Sequence, residues 1–159
     1  PSTQTWKRTR VASLTPVARD VRFVETDFER DALRERLSAS GHEPTRESVF
    51  IWEGVSMYLS STAIDALLHG LHTCAASGST LLATYFEPRP SKMAGALTAL
   101  LRGVSEPVRS RFSAEQFAAR LSPHAFDVVD DAGDPEWSRR YLALHQSWSL
   151  ERLVTARRR

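Results

Sequence analysis

Residues 48–60 read Ser48-Val49-Phe50-Ile51-Trp52-Glu53-Gly54-Val55-Ser56-Met57-Tyr58-Leu59-Ser60, and the reading of this stretch decides the fold. Val49 to Glu53 predicts a buried strand that ends on a carboxylate. Gly54 breaks the run, and Val55 to Leu59 make an apolar turn that leads into a helix. An acid at the carboxyl end of a buried strand is costly unless something pairs with it. In open α/β sheets the same place is where ligands bind.

Working outward, the flanking segments alternate. Val21 to Thr26 alternates apolar and polar residues, which predicts a strand ending near Asp27. Asp27 then suits the cap of a helix over 28–37, with Phe28, Leu33 and Leu37 on one face and Gly41 and Pro44 beyond its end. After the central stretch, Thr62 and Asp65 predict a capped helix start. Ile64, Leu67, Leu68, Leu71 and Ala75 follow the spacing of one buried helical face, with Gly78 as its stop. Ser79 to Phe86 predicts a second buried strand. Strand, helix, strand, helix, strand in this order argues for a parallel sheet with right-handed crossovers.

The remainder has a different pattern. Pro88 and Pro90 open a linker, and Met93, Leu97, Leu100 and Leu101 predict an amphipathic helix interrupted by Gly95 and Gly103. Ser113 and Gln116 form a capping signal ahead of Phe117 and Leu121. A short strand over 125–129, a loop over 130–136 and a last strand over 150–156 predict an antiparallel, hairpin-like finish without a full-length helix between its strands. At the other end, Trp6, Val11 and Leu14 give residues 2–14 a weak helical pattern closed by Pro16.

At 159 residues, 42% of them hydrophobic and 25% charged, the chain fits one soluble globular domain over 1–159 with a real core. No apolar run approaches the roughly 20 residues of a membrane span, and the first ten residues lack the apolar core of a signal peptide. The net charge of +2 is small. Its basic clusters, Lys7, Arg8 and Arg10 and then Arg157 to Arg159, are not interleaved with aromatic residues, so nucleic acid is not the expected partner. The lone cysteine, Cys74, excludes an internal disulfide, falls on a helical face as a packed thiol, and suits a reducing cytoplasm.

Several kinds of chemistry lack their signatures. There is no G-x-S-x-G elbow and no phosphate-binding P-loop. His69 and His72 are three apart on a helix, but no carboxylate or cysteine stands at ligand spacing, so no metal site is expected. Two carboxylates remain. Asp27 and Glu53 each follow an expected parallel strand and would share one edge of the sheet, where they suit a cation or polar ligand. The alternative is that each merely caps the turn after it.

The stretch Val49 to Ser60 resembles the E-G-V-x-M-Y-L signature of the leucine carboxyl methyltransferase-like family, a group of class I S-adenosylmethionine-dependent methyltransferases. The likeness extends to Pro1, Thr3, Gln4, Trp6, Lys7 and Arg8. It continues through Phe23, Val24, Asp27, Phe28, Gly41, Pro44 and Thr45, and then Glu106-Pro107 and Arg140-Tyr141. Ser105 stands where the family has glycine. The resemblance implies an incomplete Rossmann-like α/β sheet, a three-layer αβα arrangement with an antiparallel C-terminal strand pair and the first two strands absent. It implies S-adenosyl-L-methionine as cofactor, with Asp27 and Phe28 at the adenine and Glu53 at the methionine end. Phe28 also suits a plain core role.

The implied reaction is methylation of a small-molecule hydroxyl or carboxylate. A carboxylate needs no base, whereas a hydroxyl does. Tyr58, Glu106 and His124 are candidates for polar roles near substrate, and no catalytic residue is assigned. The family's glycine-rich loop and ribose-binding acid have no counterpart here. The chain therefore reads as the C-terminal part of such an enzyme, a fragment expected to bind cofactor weakly or not at all. Its central strand keeps an open apolar edge for a missing N-terminal half or a second chain. The competing expectation is a non-catalytic remnant or interaction module.

Overall fold

The computed structural model describes residues 2–15, 17–88, 108–142 and 150–159. Its elements are α1 (Ser2–Val11), α2 (Leu33–Ala39), β1 (Val49–Trp52), α3 (Ser61–Cys74), β2 (Thr80–Phe86), α4 (Ala114–Leu121), β3 (Phe126–Gly133), α5 (Asp134–Leu142) and β4 (Glu151–Arg158). Short 3-10 turns span Ser56–Tyr58 and Ser122–His124. The helix expected from Met93 to Leu101, and the elements at Ser105 to Pro107, lie outside the described residues.

The four strands form one open sheet in the order β1-β2-β4-β3. β1 runs parallel to β2, with Val49 opposite Thr80 and Trp52 opposite Ala83. β4 inserts antiparallel between β2 and β3. The α/β class and the antiparallel C-terminal pair are therefore as expected, and among the described residues β1 occupies the sheet edge.

One face of the sheet carries the core. Phe50, Trp52, Leu81, Ala83, Tyr85, Val154 and Ala156 alternate inward along their strands and meet α3 and α4. From α3 come Ile64, Leu67, Leu68 and Leu71, all buried as their spacing predicts, with Ala75 just past its end. From α4 come Phe117 and Leu121, both fully buried, and the Phe117 ring stacks on Tyr85 with centroids 4.2 Å apart. Cys74 is buried, as a packed thiol.

The opposite face is less covered. Val49 is 65% exposed and Ile51 70%, so β1 is not the buried strand its composition suggests. Among the described residues, Phe50 and Trp52 are the β1 residues that join the core cluster. β1 also ends at Trp52, one residue before the expected carboxylate.

Other boundaries shift for identifiable reasons. Residues 21–27 are not a strand. No strand lies beside them among the described residues, and side chains of α1 take their carbonyls instead: Arg8 donates to Phe23 O and Gln4 to Val24 O. Asp27 caps a turn rather than a helix, since its Oδ1 accepts the Glu29 amide while its carbonyl accepts those of Arg30 and Asp31. The helix begins only at Leu33.

α3 is capped by Ser60, whose Oγ accepts the Ala63 amide, and not by the Thr62 and Asp65 pair. The Ser113 and Gln116 capping box forms as expected. The finish is longer than its sequence suggests. β3 continues through the acidic run to Gly133 by way of a bulge between Val128 and Asp130, and α5 then fills the expected loop. Its start carries Asp134 and Glu136, which suit the positive end of a helix.

α2 packs on α3 through a glycine. A Cβ on Gly70 would stand 3.0 Å from Leu33 Cβ and 3.5 Å from its Cδ2. Gly70→Val should cost about 1–3 kcal/mol by overpacking. Gly70→Ala should stay near neutral, because alanine recovers about 1 kcal/mol of helix propensity. Urea unfolding midpoints would check both.

The end of α3 meets the turn before β3 in a cluster of imidazoles. His69, His72 and His124 have ring centroids 6.2–6.5 Å apart, and His72 Nδ1 donates to His124 O at 2.8 Å. Burial, then the neighbouring His69 and His72, push the His124 pKa below its ordinary value, and Asp65 pulls it back only in part. The unfolded chain therefore takes up this proton first. Stability is whole above the unfolded pKa of about 6.5 and falls as pH drops through it toward the folded value. The melting temperature should be lower at pH 5.5 than at pH 7.5, and the drop should shrink in His124→Gln, as read by thermal denaturation.

Candidate functional site

The site grows from the turn that follows β1. Gly54 adopts φ +67, a conformation open to glycine at little cost, and its amide donates to Thr84 Oγ1 at 2.9 Å. Ser56 is buried and donates through its hydroxyl to Thr84 O at 2.6 Å. Thr84 therefore fixes the turn to the neighbouring strand from both its side chain and its carbonyl. Met57 and Leu59 are buried beneath, while Tyr58 is 36% exposed.

Glu53 sits at the head of this turn, exposed, and makes no hydrogen bond or ion pair among the described residues. The expected burial cost is absent because its carboxylate stands in solvent. Beside it, nothing lies within 4 Å of where a Gly54 side chain would begin. An unpartnered acid next to open space and a side-chain-free backbone at the carboxyl edge of a parallel pair fits a cationic ligand brought close to the chain.

Glu29 joins three segments at this edge. Its carboxylate accepts the Ser60 amide at 2.8 Å, the Ser60 hydroxyl at 2.9 Å and Arg109 Nη1 at 3.3 Å. These bonds, the Ser60 amide first, hold its pKa below the ordinary carboxylate value. Glu29 thereby brings the turn that bears Asp27 and Phe28 against the start of α3. No sequence signal marked it, since an exposed glutamate in a charged stretch looks like any solvated face.

Asp27 is exposed, turned onto the Glu29 amide with Arg30 at 3.7 Å. Phe28 is half-buried, packs against the core and lines a groove of about 330 Å³ with Leu33, Leu67 and Gly70. Its core role is thus visible directly. Of the other candidates, His124 lies in the imidazole cluster with His69 and His72, and Glu106 lies outside the described residues. Among the described residues there is no group of histidine, cysteine and carboxylate side chains able to hold a metal ion.

A second constellation, missed in the sequence, closes the sheet's far side. Tyr85 donates to Asp131 Oδ2 at 2.6 Å, and Arg152 reaches Asp131 Oδ1 at 2.8 Å and Glu87 Oε1 at 2.7 Å. Burial and the Asp131 carboxylate push the Tyr85 phenol well above its ordinary value. Burial works to lower the Arg152 guanidinium, but its bonds to Asp131 and Glu87 together outweigh that and raise it. The four polar residues come from the end of β2 (Tyr85, and Glu87 just past it), β3 (Asp131) and β4 (Arg152), which the antiparallel register brings together.

The leucine carboxyl methyltransferase family matches residues 1–72. A Thermobifida fusca structure described as a putative methyltransferase superposes with a TM-score of 0.71 at 16% identity, covering 98% of this chain and 59% of that one. SibL, an S-adenosylmethionine-dependent methyltransferase in its apo form, gives 0.64 at 15% identity over 99% of this chain and 41% of its own. Human N-acetylserotonin methyltransferase in complex with S-adenosylmethionine gives 0.55 at 15% identity over 96% and 37%. The chain thus spans between 37% and 59% of these structures. No curated protein matches it. Residues 1–72 carry the match to the leucine carboxyl methyltransferase family, and the fold is that of S-adenosylmethionine-dependent methyltransferases.

Proposed function

We propose that this chain supplies the carboxyl-terminal part of the active site of an S-adenosylmethionine-dependent O-methyltransferase acting on a small-molecule hydroxyl or carboxylate. The observation that carries this reading is Glu53, unpartnered and exposed at the carboxyl edge of β1, beside the open backbone of Gly54. A cofactor bearing an ammonium and a sulfonium matches a carboxylate placed there in advance. In the same reading Asp27 and Phe28 hold the adenine end, and Glu29 keeps their turn against Ser60.

When bound, the cofactor supplies a methyl group activated by its positive sulfur. The chain's own residues orient and exclude water. The rigid turn over 53–60, fastened to Thr84, sets the direction of the Glu53 carboxylate. A single buried thiol supports a reducing compartment, such as the cytoplasm, as the setting in this reading. Among the described residues no helix is long and apolar enough to cross a membrane.

The exposed edge of β1 favours a second reading, in which the chain is a non-catalytic interaction module that pairs this edge with another strand. Cofactor binding separates the two. The chain should be joined in frame to a glycine-rich strand-loop-helix half and titrated with S-adenosylhomocysteine by calorimetry. Saturable binding that Glu53→Gln weakens roughly tenfold or more is the expected result, since a hydrogen bond between charged groups is worth about 1.5–3 kcal/mol. Equal affinity in the variant overturns the role of Glu53, and no binding in the joined protein favours the interaction module.

A further inference from the structure

The segment that returns to the sheet before α4 is held unusually firmly. The Arg109 amide donates to Met57 O at 2.7 Å, the buried Ser110 donates through Oγ to Leu59 O at 2.6 Å, and the Phe112 amide donates to Phe86 O at 2.9 Å. Phe112 turns into the core against Phe117, with centroids 5.6 Å apart. Arg111 projects to the other side. Its guanidinium lies 5.6 Å from the Phe86 ring centroid, and one N–H donates to Glu87 O at 3.2 Å.

Arg111 pairs with no acid among the described residues, as is also true of Arg8 over Phe23, but Arg111 alone of the two sits on a segment tied to the turn over 53–60. Arg109 is paired with Glu29, and Arg152 with Asp131 and Glu87, whereas Arg111 has no carboxylate partner among the described residues. One N–H is spent on a carbonyl and the rest of the fork has no partner among the described residues, over an aromatic shelf and on a backbone fixed at three points. An arginine in that state matches a planar anion.

Its position relative to Glu53 gives the anion a role. Trp52 pairs with Ala83 and the Gly54 amide bonds Thr84, so Glu53, between them, lies beside Thr84, and Phe86 is two residues further along β2 on the face of Thr84. The two backbone positions are on the order of 8 Å apart. One carboxylate and one unpaired guanidinium therefore flank the same stretch of the sheet's carboxyl edge.

We propose that Arg111 is a specificity-determining residue that receives a carboxylate of the methyl acceptor, with the acceptor's apolar body resting against Phe86. The carboxylate orients the molecule and is distinct from the oxygen that is methylated. The word acceptor rests on the methyltransferase reading, while the anion site rests on Arg111 and Phe86 alone.

The test is a titration of the chain with benzoate, with benzamide as the uncharged control, followed by arginine Nε–Hε and aromatic resonances. Saturable shifts at Arg111 and Phe86 with benzoate, absent with benzamide, are expected in the millimolar range. Arg111→Lys should weaken binding severalfold and Arg111→Gln should abolish it, each with the amide spectrum of the fold preserved. Equal shifts with benzamide, no saturable shift at Arg111, or an undiminished response at Phe86 in Arg111→Gln would overturn the proposal. In the joined protein, Arg111→Gln should leave S-adenosylhomocysteine affinity unchanged. Benzoate binding without cofactor binding removes the methyltransferase reading and keeps the anion site; cofactor binding without benzoate binding removes the anion site alone.

Discussion

The parallel pairing of β1 with β2 is the constraint on which the rest of the structure depends. It runs over only four residue pairs, Val49 with Thr80 to Trp52 with Ala83. Such a short ladder is weak by itself. It is extended past its end by Thr84, which takes the Gly54 amide on its hydroxyl and the Ser56 hydroxyl on its carbonyl. A slip of one residue would turn Phe50 and Trp52 out of the core and bring Val49 and Ile51 in. It would also carry Glu53 to the wrong face and break both bonds to Thr84. The register of this pair, the turn and the direction of the carboxylate are therefore one decision.

The core enforces that decision from one side. α3 and α4 press on the inward residues of all the central strands, and the stacked rings of Phe117 and Tyr85 fill the middle. The antiparallel return of β4 between β2 and β3 then permits Arg152 to reach Asp131 and Glu87 at once. Replacing one member of such a partly buried ionic network leaves the others uncompensated, which is costlier than the network's own net worth. These groups specify how the last two strands lie.

Much of this was legible in the sequence, and the losses have physical causes. The face of α3 was readable because its apolar residues recur at helical spacing, and the Ser113 and Gln116 box because a cap is a local bond. Residues 21–27 misled because alternation shows only that a segment suits a sheet, not that a neighbour exists to pair with it. The continuation of β3 through Asp130 and Asp131 was hidden because acids are rare in strands, and Asp131 is tolerated there only through Tyr85 and Arg152. Glu53 was singled out by its place after an apolar run. Glu29 and Arg111 were not, since each owes its setting to partners distant in sequence.

The Tyr85 phenol has a chemical consequence. It stands near the end of β2 with its ring turned into the core, on the face opposite Thr84 and Phe86. Its hydrogen is already committed to Asp131, and burial beside that carboxylate makes the phenolate harder still to form. The residue is thus sealed out of acid–base chemistry by the network that keeps the sheet in order. In the proposed methyltransferase reading, an acceptor whose hydroxyl must be ionised has to pass its proton to some other group, whereas one that arrives already ionised meets no such demand.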